Sequence, residues 1–232
     1  MSDVDDGRLG GGWWARIRQA ILRRTGGLPS TSLTPGDGTV YRSKAVPRLL
    51  DHLSGLKNPV LLDLGPVVGA NVSFLGDRLG CKVYIEDVYS DLAALVQRGD
   101  EAAIAPWVRA CLAREPASVD AVLAWDVADY LDDDEASALV ARIVRVLRPG
   151  GMVLALFTTA RIDRPFCRKY IIEDADHLRH RWVPFARSVR RVRLGGDVER
   201  LFAPLQAEEV YLLRHRQRET LFRRRAGPRK AV

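Results

Sequence analysis

Apolar and polar positions along the chain follow two periods. Val60-Leu61-Leu62 is an apolar run ending in Asp63, and Lys82-Val83-Tyr84-Ile85 ends in Glu86. Ala121 to Trp125 is apolar between Asp120 and Asp126, and Met152 to Phe157 is another apolar run. Short continuous runs of this kind predict strands buried on both faces, as in a parallel sheet. Between them the period lengthens. Residues 46–56, the stretch from Asn71, 91–97 and 132–147 read as helices. The last of these has acids in its first turn and Arg142, Arg145 and Arg148 near its end, as the helix dipole favours. Pro149-Gly150-Gly151 stops it. Strands alternating with helices predict an α/β fold, doubly wound, with a mostly parallel sheet and helices on both faces. Farther on, 198–205 suggests a helix, and 208–213 and 219–223 suggest two closing strands.

The turn after Asp63 carries the chemistry. Residues 60–71 read Val-Leu-Leu-Asp-Leu-Gly-Pro-Val-Val-Gly-Ala-Asn. A buried strand, a tight turn with Gly65 and Gly69, and a helix start near Asn71 bring backbone N–H groups and a carboxylate together on a small ligand. A dinucleotide fingerprint starting at Gly65 would need a second glycine where Val67 stands, so that a pyrophosphate could approach the backbone. That argues against a nicotinamide oxidoreductase. A ligand with an amino group and ribose hydroxyls, but no phosphate, tolerates the bulkier turn.

Two blocks together resemble the class I S-adenosylmethionine-dependent methyltransferases. The first is 60–71 with Lys82 to Glu86. The second is Asp120-Ala-Val-Leu-Ala-Trp-Asp-Val-Ala-Asp-Tyr-Leu131, a helix, and Val146-Leu-Arg-Pro-Gly-Gly-Met-Val-Leu-Ala-Leu-Phe157. The likeness covers about residues 46–160. It implies S-adenosyl-L-methionine as cofactor and a seven-stranded sheet of order 3-2-1-4-5-7-6 with the last strand antiparallel. The third strand of that order should fall within 98–118. No β-rich run appears there, and 107–113 looks helical.

The resemblance also assigns roles. Asp63 would lie near the methionine moiety, with Gly65, Gly69 and Asn71 forming the turn and helix start. Glu86 would grip the ribose hydroxyls, with Asp87 as its rival. Asp126 would sit beside both cofactor and acceptor, where it can orient an amine or accept a proton. Tyr130 stands where related small-molecule methyltransferases commonly carry His, and with Asp126 it is the catalytic candidate. Tyr41 and Arg42 are candidates for closing over the methionine carboxylate. Trp125 reads as core. The family usually has Gly where this chain has Val67, so a non-catalytic binding module is the rival reading.

With 232 residues and nearly half of them apolar, the chain can bury a sizeable core. The expected layout is an N-terminal extension over 1–38, a methyltransferase domain over 39–225 with an insert at about 161–196, and a basic tail over 226–232. Residues 13–24 read as a short basic amphipathic helix. No apolar stretch is long enough to span a membrane, and the acidic start Ser2 to Asp6 does not read as a secretory signal. Cys81, Cys111 and Cys167 are scattered, as expected of reduced thiols in a cytoplasm. His177-x-x-His180 is the one paired-histidine spacing, and without a second pair or a cysteine no metal is expected.

Charge divides the chain. Residues 1–62 carry a net +4, residues 63–160 a net −7 and residues 161–232 a net +10. In the insert, Arg161, Arg164, Arg168, Lys169, Tyr170, His177 and Arg181 form a basic, partly aromatic set. The expected acceptor is a small molecule. Basic flanks keep RNA or protein open as alternatives.

Overall fold

The computed structural model describes residues 38–226. The amphipathic segment at 13–24 lies outside them. In chain order the elements are β1 (Thr39–Arg42), α1 (Ala45–Ser54), β2 (Val60–Asp63), α2 (Gly69–Leu79), β3 (Lys82–Ile85), α3 (Val88–Gln97), α4 (Ile104–Ala110), β4 (Val119–Trp125), α5 (Asp133–Val146), β5 (Leu147–Thr158), β6 (Phe166–Ile172), β7 (His177–Pro184), α6 (Gly195–Leu201), β8 (Gln206–Leu213) and β9 (Gln217–Arg223).

The main sheet has six strands in the order β3-β2-β4-β5-β9-β8. β3, β2, β4 and β5 are parallel neighbours, and β9 runs antiparallel between β5 and β8. All seven residues of β4 are buried, as a central parallel strand requires. Side chains on one sheet face, among them Leu62, Val122, Val153 and Phe222, share a core with α3 to α6. Those on the other, among them Leu61, Leu123, Leu154 and Leu221, pack with α1 and α2. α5 starts with a capping box in which Asp132 and Glu135 bond each other's backbone N–H.

The expected seventh strand is absent among the described residues. Leu112 and Ala117 hold left-handed backbone (φ 53° and 51°), which a strand cannot contain. Arg142 donates to the carbonyls of Cys111 and Leu112, and Arg145 and Arg148 to those of Arg114 and Ala117. Arginines read as helix-dipole residues thus satisfy the carbonyls that a neighbouring strand would have bonded. A second departure is local. β5 already begins at Leu147, and Gly150 makes the bend at φ 82°, a conformation glycine adopts freely.

The insert is the larger surprise. β6 and β7 form an antiparallel hairpin, and β1 adds to β7, giving a separate sheet of order β1-β7-β6. At the other end, Arg223 and Arg224 are tied into the fold. Arg223 pairs with Glu208, and Arg224 Nη1 donates to the Val144 carbonyl at 2.8 Å.

Candidate functional site

The strand order sets the site. From β2 the chain proceeds outward to β3, while β4 and β5 lie on the other side of β2. The crevice outside the carboxyl ends of β2 and β4 is the switch point where open α/β sheets take their ligands. Asp63 and Gly65 line one side, and Trp125 and Asp126 the other.

Asp63 is almost fully buried. Its Oδ1 accepts from the Gly65 N–H at 2.8 Å and from the Trp125 indole Nε1–H at 2.6 Å. Burial pushes its carboxyl up to about 6, against the pull of those two donors. Glu86, at the end of β3, has a side chain 29 % exposed, with Arg114 Nη1 3.8 Å away. Asp87 is otherwise engaged. It caps α3, accepting from the Ser90 N–H and hydroxyl. Gly69 opens α2 with free space where a side chain would stand. Asn71 is buried under the small sheet, donating to the Tyr170 carbonyl at 3.2 Å and accepting from the Ile172 N–H at 2.8 Å.

Asp126 is wholly buried and takes three hydrogen bonds. Its Oδ1 accepts from Tyr89 Oη (2.7 Å), and its Oδ2 from Tyr170 Oη (3.0 Å) and Arg168 Nη1 (3.1 Å). Tyr170 Oη accepts in turn from the Gln217 amide, whose oxygen lies 2.7 Å from His215 Nε2. Tyr41 lies against this group, its ring centroid 4.3 Å from that of His215 and 5.8 Å from that of His180. Burial first, then Arg168 and His215, push His180 down to about 4, so its imidazole is neutral at neutral pH. Three buried atoms in this group have no partner: Tyr41 Oη, His180 Nδ1 and Arg168 Nε.

The remaining expected residues fall elsewhere. Tyr130 packs edge-on against Tyr89 and Phe185, and its hydroxyl donates to the Phe166 carbonyl at 3.2 Å. Burial raises its phenol well above the ordinary value, so it stays protonated. Arg42 pairs with Asp176. His177 and His180 are three residues apart on one strand and therefore face opposite sides. His177 joins Asp174 and Asp176 at the hairpin turn, and His180 faces the polar group around Tyr41. No helix among the described residues is long and apolar enough to cross a membrane.

Sequence reasoning did not single out Tyr89, Gln217 or His215. The faint signal for the small sheet was alternation. Arg168 and Tyr170 on β6, with His180 and Trp182 on β7, sit on one face at period two, but their polarity hid it.

Residues 62–155 match the family described as "Methyltransferase domain". Among solved structures, the chain is similar to the Burkholderia thailandensis 1,6-didemethyltoxoflavin-N1-methyltransferase with bound 1,6-didemethyltoxoflavin and S-adenosylhomocysteine. That match has 16 % identity, covers 97 % of this chain and 94 % of that one, and has a TM-score of 0.51, which shows the shared fold. A geranyl diphosphate methyltransferase in complex with S-adenosylmethionine matches at 17 % identity, covering 95 % and 93 % of the two chains, with a TM-score of 0.46. No curated protein matches the chain.

Proposed function

Because the chain carries a class I, S-adenosylmethionine-dependent methyltransferase domain, we propose that it methylates a small polar molecule held between the two sheets. When bound, the cofactor supplies a methyl already activated by its sulfonium, so the protein has to align an acceptor, exclude water and manage at most one proton.

Glu86 is the residue we assign to the ribose hydroxyls, because its carboxylate is the one left accessible at the strand ends. Asp63 and Gly65 belong to the amino-acid end. Asp126 holds Tyr170 and Arg168 in place and, with three hydrogen bonds already made, acts by positioning rather than as a free base. Tyr41, His180 and Arg168 present unpartnered polar atoms to the acceptor, and neutral His180 offers its Nδ1 for a hydrogen bond.

Those unpartnered atoms carry the reading. A buried polar atom without a partner costs about 1–3 kcal/mol, so a set of them in one place calls for a polar occupant. An RNA acceptor is less favoured because many arginines of the basic flank are paired within the protein, such as Arg191 with Asp133 and Arg200 with Asp197. The test offers donor with a labelled methyl group together with a panel of small polar aromatic and hydroxy compounds, total RNA and a protein extract. Label in a small molecule, lost in His180→Ala, supports the proposal. Label confined to RNA or protein would sink it.

A further inference from the structure

The switch-point crevice is filled by the protein's own side chains. Trp125 ends β4 with left-handed backbone (φ 48°), a costly conformation for a bulky residue. The β4–β5 register slips between Leu123 and Trp125, and such a bulge re-aims the side chain that follows. The indole is thereby turned onto the glycine turn. A Cβ built on Gly65 would stand 2.7 Å from it. Tyr170 then covers the indole, stacked at 5.0 Å between centroids and 7° between planes. β6 is tied down beside it by Asn71, Asp126 and Gln217. By contrast, Glu86 at the neighbouring strand end stays accessible.

We propose that Trp125 and Tyr170 form a plug that occludes the amino-acid end of the cofactor site, and that the β6–β7 hairpin has to lift before the methyl donor is fully seated. This rests on the methyltransferase reading above. The adenosine end binds to the closed form, and the amino-acid end gains nothing until the plug withdraws. Strain at Trp125 lowers the cost of withdrawal, because the indole leaves an unfavourable backbone conformation when it moves.

Calorimetric titration of the full chain with adenosine and with S-adenosylhomocysteine tests this. In the wild type the two ligands bind within about threefold of each other. In Tyr170→Ala, S-adenosylhomocysteine binds about tenfold tighter than in the wild type and adenosine is unchanged, the gain expected when a closed state that excludes the ligand is removed. A second measurement needs no variant. Hydrogen exchange at the Ile172 amide, which donates to Asn71, should speed up with S-adenosylhomocysteine and not with adenosine. Wild-type binding of S-adenosylhomocysteine far tighter than adenosine, with that amide equally or better protected, overturns the plug and leaves the methyltransferase reading standing. Binding of neither ligand to wild type or variant overturns both.

Discussion

Asp63 and Glu86 end adjacent parallel strands, and Glu86 donates its backbone N–H to the Asp63 carbonyl at 2.8 Å. Their side chains live in opposite worlds. Asp63 is buried, bonded to Gly65 and Trp125, and raised to about 6. Glu86 is partly exposed, with a long contact to Arg114. The fold has already used Asp63 to hold its own turn together, whereas Glu86 has been left available. In this closed arrangement Glu86, and not Asp63, is the carboxylate free to take a ligand.

Substitutions can break that contrast. The largest expected effect is on Asp63→Ala, which leaves the Gly65 N–H and the Trp125 indole N–H buried without acceptors. At about 1–3 kcal/mol for each of the two orphaned donors, the variant should lose about 2–6 kcal/mol of stability in urea unfolding. A loss below about 1 kcal/mol would show that the turn does not depend on this carboxylate.

The pH dependence comes next. Because the folded-state value of Asp63 lies above the unfolded one near 3.8, the native state holds the proton more tightly. This group's contribution is fully present below about pH 4, declines as pH rises to about 6 and stays lost above. A shift of that size corresponds to about 3 kcal/mol. Asp63→Asn should flatten this part of the stability profile. An unchanged slope between pH 4 and 6 would assign it to other groups.

Glu86→Ala should do the reverse of Asp63→Ala. Stability should change by no more than about 0.5 kcal/mol, as at ordinary surface positions. Binding of S-adenosylhomocysteine should weaken by about 1–3 kcal/mol, the range for a lost hydrogen bond to a charged group. Undiminished affinity would remove Glu86 from the site. The smallest effect belongs to Arg114→Ala. Its guanidinium stacks 3.5 Å from the Tyr84 ring centroid and lies loosely against Glu86, so thermal unfolding should register a loss of about 0.5–1 kcal/mol.

The contrast also marks how far the sequence was legible. Both acids were visible as strand ends, because apolar runs flanked by acids and turn residues announce β2, β3 and β4. α5 was visible through its acidic start and its Pro-Gly-Gly stop. Which acid the fold consumes was not visible, since it depends on Trp125, and Trp125 is aimed by a bulge that no local residue pattern reveals. The small sheet was hidden for a related reason. A buried face built from Arg168, Tyr170 and His180 reads as a basic loop until its partners Asp126 and Gln217 are in place. The missing third strand was foreshadowed by the lack of a β-rich run in 98–118, but the arginine bonds that replace it come from a helix some thirty residues away.

One buried atom can serve as a clock. Cys167 lies on β6, fully enclosed, and burial raises its thiol well above the ordinary value, so it is protonated and shielded. Cys81 and Cys111 are likewise pushed up, to about 11, and they sit outside the hairpin. Alkylation of Cys167 therefore proceeds only as fast as β6 comes away. Compared with Cys81, which is buried in the core packed on α1 and α2, it separates lifting of one hairpin from opening of the whole domain, and turns a static packing arrangement into a rate.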